Sequence, residues 1–385
     1  MQKKIIALAI AGLASSAVFA DTNVTIYGRM DYGYMNRGGT DGPVTGRASA
    51  SEFGAGLQSG SRIGFKGVED LGNGMKALFQ VETGSIGNDS STGLSSLRNA
   101  YVGLTSKYGT LVGGKLDGVR YGIFNKYDAF GGGNVGNFTQ MTAQVDRANN
   151  AIAYISPSFA GLTATLAYST HIGTSNPLNL PASGQENTAG GNKGDGMLTT
   201  AMLNYKNGGL DLTADWERVS FKDGLAPIAS ATTVNYAAYA FDHVTVWNVG
   251  GSYDFGFVKV AALYDNLQAD ARIGNGGVVV DVDTWFVSAS APVGKFVVKT
   301  TYGQTEDKKA SGDVKASKLG VGADYLLSKR TKLYATYGKI WNGDDSKYML
   351  SPAANCSTGA GTVGAGACTS ALGTHGFDIG IAHTF

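Results

Sequence analysis

A chain of 385 residues with 31 basic and 30 acidic side chains has no charge excess with which to displace counterions from nucleic acid, so no nucleic-acid partner is expected. A mean hydropathy of -0.06 excludes a bundle of membrane helices, each of which needs about 20 consecutive apolar residues. Nineteen tyrosines and 16 phenylalanines beside 57 glycines exclude disorder, because there is ample apolar surface to bury.

Taken in chain order, the first predicted element is an address. Lys3 and Lys4 form a basic n-region, residues 5–14 an apolar h-region, and Val18 and Ala20 put small residues at the -3 and -1 positions. This is the pattern of a secretory signal peptide over 1–20, cleaved before Asp21. Its loss removes two lysines and leaves residues 21–385 balanced to within one charge.

From Val24 onward, apolar residues recur at every second position over runs of about ten residues, the period of half-buried strands. Val24, Ile26, Met30 and Tyr32 alternate with Thr25, Tyr27, Arg29 and Asp31. Similar runs follow around Ile63 and Phe65, Ala77 to Val81, Leu210 to Trp216, Leu319 to Tyr325, and Phe377 to Phe385. Strand starts are predicted near Val24, Ser61, Met75, Leu97, Thr110, Arg147, Leu162 and Met197. The second half adds Gly209, Thr245, Phe257, Val279, Lys295, Lys315, Lys332 and Thr374.

A soluble sandwich would alternate too, so the connections decide. Short turns at 70–73, 157–161, 207–209, 254–256, 292–294 and 328–331 alternate with long polar stretches at 37–60, 116–146, 171–196, 220–243 and 341–373. Short turns at one rim and long loops at the other mark an all-β transmembrane antiparallel β-barrel of 16 strands, with periplasmic turns and external loops. Aromatic residues at strand ends, among them Tyr168, Trp216, Tyr264, Trp285 and Tyr302, fit girdles at the two lipid interfaces. Closure leaves no unpaired strand edge in the bilayer, and a barrel of this size holds an aqueous channel. Cys356 and Cys368 fall in the last long stretch. In an exported chain they are expected to close a local disulfide, the alternative being two unpaired thiols.

Several segments together resemble the general porins of Gram-negative bacteria, of the betaproteobacterial and neisserial type. They are the start Val24-Thr25-Ile26-Tyr27-Gly28-Arg29, the strand and turn from Ser61 to Gly72, Arg147-Ala148-Asn149-Asn150, Ser156-Pro157-Ser158-Phe159-Ala160-Gly161, Leu326-Leu327-Ser328-Lys329-Arg330-Thr331, and the terminal Phe385. The resemblance covers the mature chain. It implies a homotrimeric channel of the outer membrane whose third external loop, 116–146, folds into the lumen as a constriction. It also implies that Phe385 is a signal to the outer-membrane barrel assembly machinery.

A diffusion pore sorts solutes by the fixed charges at its narrowest zone. Alternation places Arg29, Arg62 and Lys66 on the lumen face, and the inward loop carries Asp117 and Asp128. By analogy with the family, these acids face a basic wall. Arg147 corresponds to a constriction arginine of the relatives, and Lys115 stands where they often carry arginine, as a softer point charge. Arg98 falls on the same face as Ala100 and Val102, so it sits above the membrane or a bulge turns it inward.

These features predict a water-filled channel for passive diffusion of small hydrophilic solutes and ions, with a mild anion preference and the lipid bilayer as its surroundings. A substrate-specific channel is the alternative, since Tyr121, Phe124, Tyr127 and Phe130 lie in the inward loop. A surface adhesin or structural barrel would need a filled lumen, whereas lumen positions read mostly as Gly, Ser, Thr and charges. No enzyme, cofactor or metal is expected. His171, His243, His375 and His383 are scattered, and the G-x-G-x-x-G match at 359–364 lacks the flanking strand and helix of a nucleotide site.

Overall fold

The computed structural model describes residues 23–39, 49–84, 86–87, 96–133, 135–142, 144–172, 195–221, 241–271, 277–310, 312–346, 348, 350 and 373–385. The proposed signal peptide and the Cys356–Cys368 pair lie outside the described residues.

Strand β1 (Asn23–Gly38) opens a barrel in which each strand pairs antiparallel with the next in sequence. The following segments are β2 (Ser49–Ala55), β3 (Arg62–Gly72), β4 (Met75–Gly84), β5 (Ser96–Ser106), β6 (Gly109–Asp117), β7 (Arg147–Ile155) and β8 (Leu162–His171). Then come β9 (Asp195–Asn207), β10 (Leu210–Phe221), β11 (Phe241–Asp254), β12 (Lys259–Ala271), β13 (Gly277–Val293), β14 (Phe296–Asp307), β15 (Lys315–Leu326), β16 (Thr331–Asn342) and β17 (His375–Thr384). Pairing of β1 with β17, Arg29 opposite Thr384 and Gly38 opposite His375, closes the cylinder.

These 17 segments make a 16-strand barrel, because β2 and β3 are two pieces of one strand. Both pair with β1: Ala55 lies opposite Tyr32, and Arg62 opposite Arg29. The intervening residues 56–61 leave the wall and turn into the barrel, where Leu57 is buried. Asp31 holds this excursion. Its Oδ2 accepts the amides of Gln58 (3.0 Å) and Ser59 (2.9 Å), its own amide donates to Ser61 Oγ (3.0 Å), and Tyr334 OH donates to Oδ1 (2.6 Å). The sequence reading placed a loop over 37–60. The structure corrects it, extending β1 to Gly38 and adding β2 within that stretch.

The alternation gives the wall its two faces. Val24, Ile26, Phe65, Val102, Leu166, Val249, Val298 and Ile379 point outward and are exposed, as lipid-facing residues of a barrel must be. All four tryptophans join this face. Trp216 lies opposite Trp247, Trp247 packs 5.3 Å from Tyr264, and Trp285 lies 6.0 Å from Tyr302. At the rim of the short turns Tyr108, Phe159, Phe255 and Phe257 are exposed, completing a second aromatic level.

The inner face is less uniformly polar than the composition suggests. On β10 to β13, Val219, Val244, Val246, Leu267, Ala269 and Val280 form one buried apolar cluster with Ile172 and Leu198. Alternation identifies the inward positions, but it does not make them wet.

Candidate functional site

The third external connection, between β6 and β7, lies inside the barrel. Gly118 starts it, its amide bonded to the Asp146 carbonyl at the return (2.8 Å), and helix α1 (Val119–Tyr127) carries it across the lumen. Arg120 fixes the helix to the far wall. Its Nε and Nη2 donate to both oxygens of Asp265 on β12 (2.7 and 2.6 Å), and its amide donates to Glu217 on β10 (3.0 Å). Arg120 is 2% exposed and Asp265 0%, so this is a two-pronged bond in a dry setting. Burial opposes the Arg120 charge, yet Asp265, Glu217 and Asp215 outweigh it and hold its pKa above the ordinary value.

Nearly two turns later Lys126 pairs with Asp211, and burial pulls its pKa down. Tyr127 OH meets Thr213 Oγ1 (2.7 Å), and Ser288 donates to the Tyr127 carbonyl. Apolar contacts complete the seat, with Phe124 and Phe138 packed 5.7 and 5.3 Å from Phe286 on β13. Glycines on the wall let the loop lie flat. A Cβ on Gly320 would come within 2.4 Å of the Gly136 carbonyl, and one on Gly338 within 2.4 Å of that of Val135.

The loop tip explains Asp128, which the sequence placed among the lumen charges. It is 5% exposed, and its carboxylate accepts Phe130 N (3.0 Å), Phe138 N (2.6 Å) and Thr301 Oγ1 (2.7 Å). Burial raises its pKa against those bonds. Asp128 thus knots the tip onto β14, and Lys318 from β15 donates beside it to the Asn137 carbonyl. Asp128 presents no charge to the passage.

The passage runs between α1 and the opposite wall, where the sequence-predicted arginines meet. Arg29 and Arg62 are Cα partners on β1 and β3, and both side chains face inward. Glu82 on β4 accepts Arg98 Nε (2.6 Å) and Tyr27 OH (3.0 Å), with Arg62 Nε at 3.8 Å. Arg147 opens β7 and pairs with Asp117 (3.2 Å). From the helix, Tyr121 turns toward this group: its ring centroid lies 5.7 Å from the Arg147 guanidinium, and it is within electrostatic range of Arg62 and Arg98. Lys115 lies within electrostatic range of Arg147. Lys66 is two inward positions below Arg62, about 13 Å down the strand, with Nζ 5.2 Å from the Tyr27 ring.

Two contributors lacked a legible signal. Glu82 reads as one more polar residue in an alternating strand. Arg98 breaks the alternation because a bulge sits there: Glu82 pairs with Asn99 and Thr83 with Leu97, leaving Arg98 as the extra residue that turns inward. The basic arc continues beyond Arg29 through Lys332 and Lys299, both bonded to Asp324 Oδ2 (2.7 and 2.9 Å). The face of the loop that meets the arc carries Tyr121, so the acids expected opposite the arginines reduce to Asp117 and Asp146 at the two roots of the loop.

A closed barrel with a loop across its lumen and a charged gap beside that loop is the geometry of a diffusion channel. A family model described as Gram-negative porin matches residues 7–345. The chain belongs to this family. Among curated relatives, an outer membrane porin of Bordetella pertussis is 30% identical, over 88% of this chain and 94% of its own length. Outer membrane porin protein 32 of Delftia acidovorans is 29% identical over the full length of both. Among solved structures, the anion-selective porin from Comamonas acidovorans superposes with a TM-score of 0.72 at 25% identity, over 95% of this chain and all of that one. This outer-membrane porin thus shares its fold and its length with its relatives, and the family to which it belongs consists of channels.

Proposed function

We infer that this porin conducts small hydrophilic solutes and ions passively, prefers anions mildly, and catalyses nothing. The observation that carries the preference is the charge count at the eyelet. Arg29, Arg62, Arg98 and Arg147, with Lys115 beside them, outnumber the acids near them, Glu82, Asp117 and Asp146, and the loop face toward them carries Tyr121. Fixed positive charge in a narrow wet zone concentrates anions and repels cations. The likeness to a porin described as anion-selective supports the same sign. Reversal potential across a planar bilayer with a potassium chloride gradient tests it: a chloride-side potential is expected, and a potassium-side potential overturns the assignment.

The homotrimer, cleavage after Ala20 and the role of Phe385 in assembly rest on the resemblance and the sequence. Conductance steps in groups of three and a mature mass beginning at Asp21 are the expected results. Deletion of Phe385 should lower the amount of barrel in the outer membrane.

A further inference from the structure

Beside the eyelet the inner wall has a feature that ion conduction does not need. Ala148, Ala151 and Ala153 on β7 and Ala167 on β8, with Leu116 and Leu198, floor a recess of about 640 Å³ including its open mouth. The recess lies at the root of the inward loop, where Gly118 and Val119 line it. Asp117, half-exposed, marks the mouth.

Polar groups with unmet bonding capacity converge at one end of this apolar floor. Asn99 lines the recess, is 3% exposed, and its Oδ1 has no hydrogen-bond partner while its Nδ2 reaches toward Asp117 Oδ2 (3.4 Å). On the other side of the same carboxylate, Arg147 Nη2 is buried and has no partner. Two acceptors, Asn99 Oδ1 and Asp117, therefore stand on the lining beside the alanine floor, and Arg147, paired with Asp117 at the mouth, adds an unmet guanidinium donor next to them. A ligand that satisfies them carries a cationic donor, an anionic acceptor and an apolar body.

We propose that the recess binds α-amino acids with apolar side chains, as a solute site within the channel function inferred above. The side chain occupies the alanine floor, the ammonium donates to Asn99 Oδ1 and Asp117, and the carboxylate accepts from Arg147. A carboxylate without the amine leaves Asn99 unmet, and an amine without the carboxylate leaves the Arg147 donor unmet while its charge is repelled by the arginines.

The test records single channels of the full-length porin in symmetric potassium chloride while L-phenylalanine, glycine, 3-phenylpropanoate or phenethylamine is added. Phenylalanine should reduce the ion current saturably, at a half-effect concentration about tenfold below that of each of the other three. Ala151→Leu, which fills the floor, should weaken the phenylalanine block about tenfold. Asn99→Ala, which adds no bulk, should do so too, and it decides the matter if the leucine variant fails to assemble. Equal block by phenylalanine and glycine in conducting channels overturns the recess and leaves the porin intact. Block by phenylpropanoate as strong as by phenylalanine overturns the zwitterion in favour of a simple amphipathic anion. A wild-type chain that inserts and does not conduct overturns the channel itself.

Discussion

From β14 round through β1 to β7, the inward side chains include Lys299, Lys332, Arg29, Arg62, Arg98 and Arg147, and the arginines at the eyelet keep part of their surface open. From β9 to β13 the inward side chains Asp211, Asp215, Glu217 and Asp265 are as charged, yet they are buried beneath α1. Both arcs come from the same period-2 pattern. They differ in what lies against them: one faces the passage, the other is neutralised by Arg120 and Lys126 of the loop. A charge on a barrel's inner face tunes selectivity only where the loop leaves it uncovered; elsewhere it anchors.

Perturbing the anchoring arc should produce the largest effect. Arg120→Ala leaves Asp265, Glu217 and Asp215 buried without their countercharge, a loss of about 3–5 kcal/mol for a broken buried pair. The loop should detach, giving a larger and noisier conductance and a barrel that unfolds at lower temperature in a gel-shift assay. Unaltered conductance would show that the loop is held by its apolar contacts alone.

Neutralising the uncovered arc should act on selectivity while leaving the barrel's stability close to wild type. The double change Arg62→Gln and Arg98→Gln removes two of four guanidiniums and should move the reversal potential toward cations, each single change giving part of it. Glu82→Gln should move it the other way by less, because one carboxylate serves both arginines; a cation-ward shift would refute the assignment of Glu82 as the counter-charge. Raising salt from 0.1 to 1 M shortens the screening length from about 10 to 3 Å, so the anion preference should shrink with concentration. Acid should have the smallest effect. Burial raises the Asp146 pKa from its ordinary value, against the opposing pull of Arg147 and Arg98. Lowering pH through the raised pKa protonates Asp146, removes a negative charge beside the arc and should strengthen the anion preference slightly. The effect should vanish in Asp146→Asn.

The barrel was legible because alternation is local: Val24, Met75, Arg147, Leu162 and Lys315 each fall within a residue of an observed strand start. The same signal placed Arg29, Arg62 and Lys66 on the inner face. It could not distinguish Asp117 at the mouth from Asp128 inside a knot, because the Asp128 partners Thr301 and Phe138 are set by where the loop lands. Nor could it find β2, a seven-residue piece cut off from the rest of its strand by the interruption at 56–61. Arg98 was ambiguous for the same reason: a bulge inserts one residue, and the sequence carries no mark of it.

The seam between β1 and β17 has a kinetic consequence. Phe385 and Gly28 exchange amide-to-carbonyl bonds of 3.1 Å in both directions, and a Cβ on Gly28 would come within 2.5 Å of the Phe385 ring. Its two sides are nearly the whole chain apart, so its loop-closure entropy is the largest of any strand pair in the wall. Contacts of such sequence separation form late, which makes this contact the final latch of the cylinder. Gly28→Val should slow closure far more than the same change at a glycine in a neighbouring hairpin.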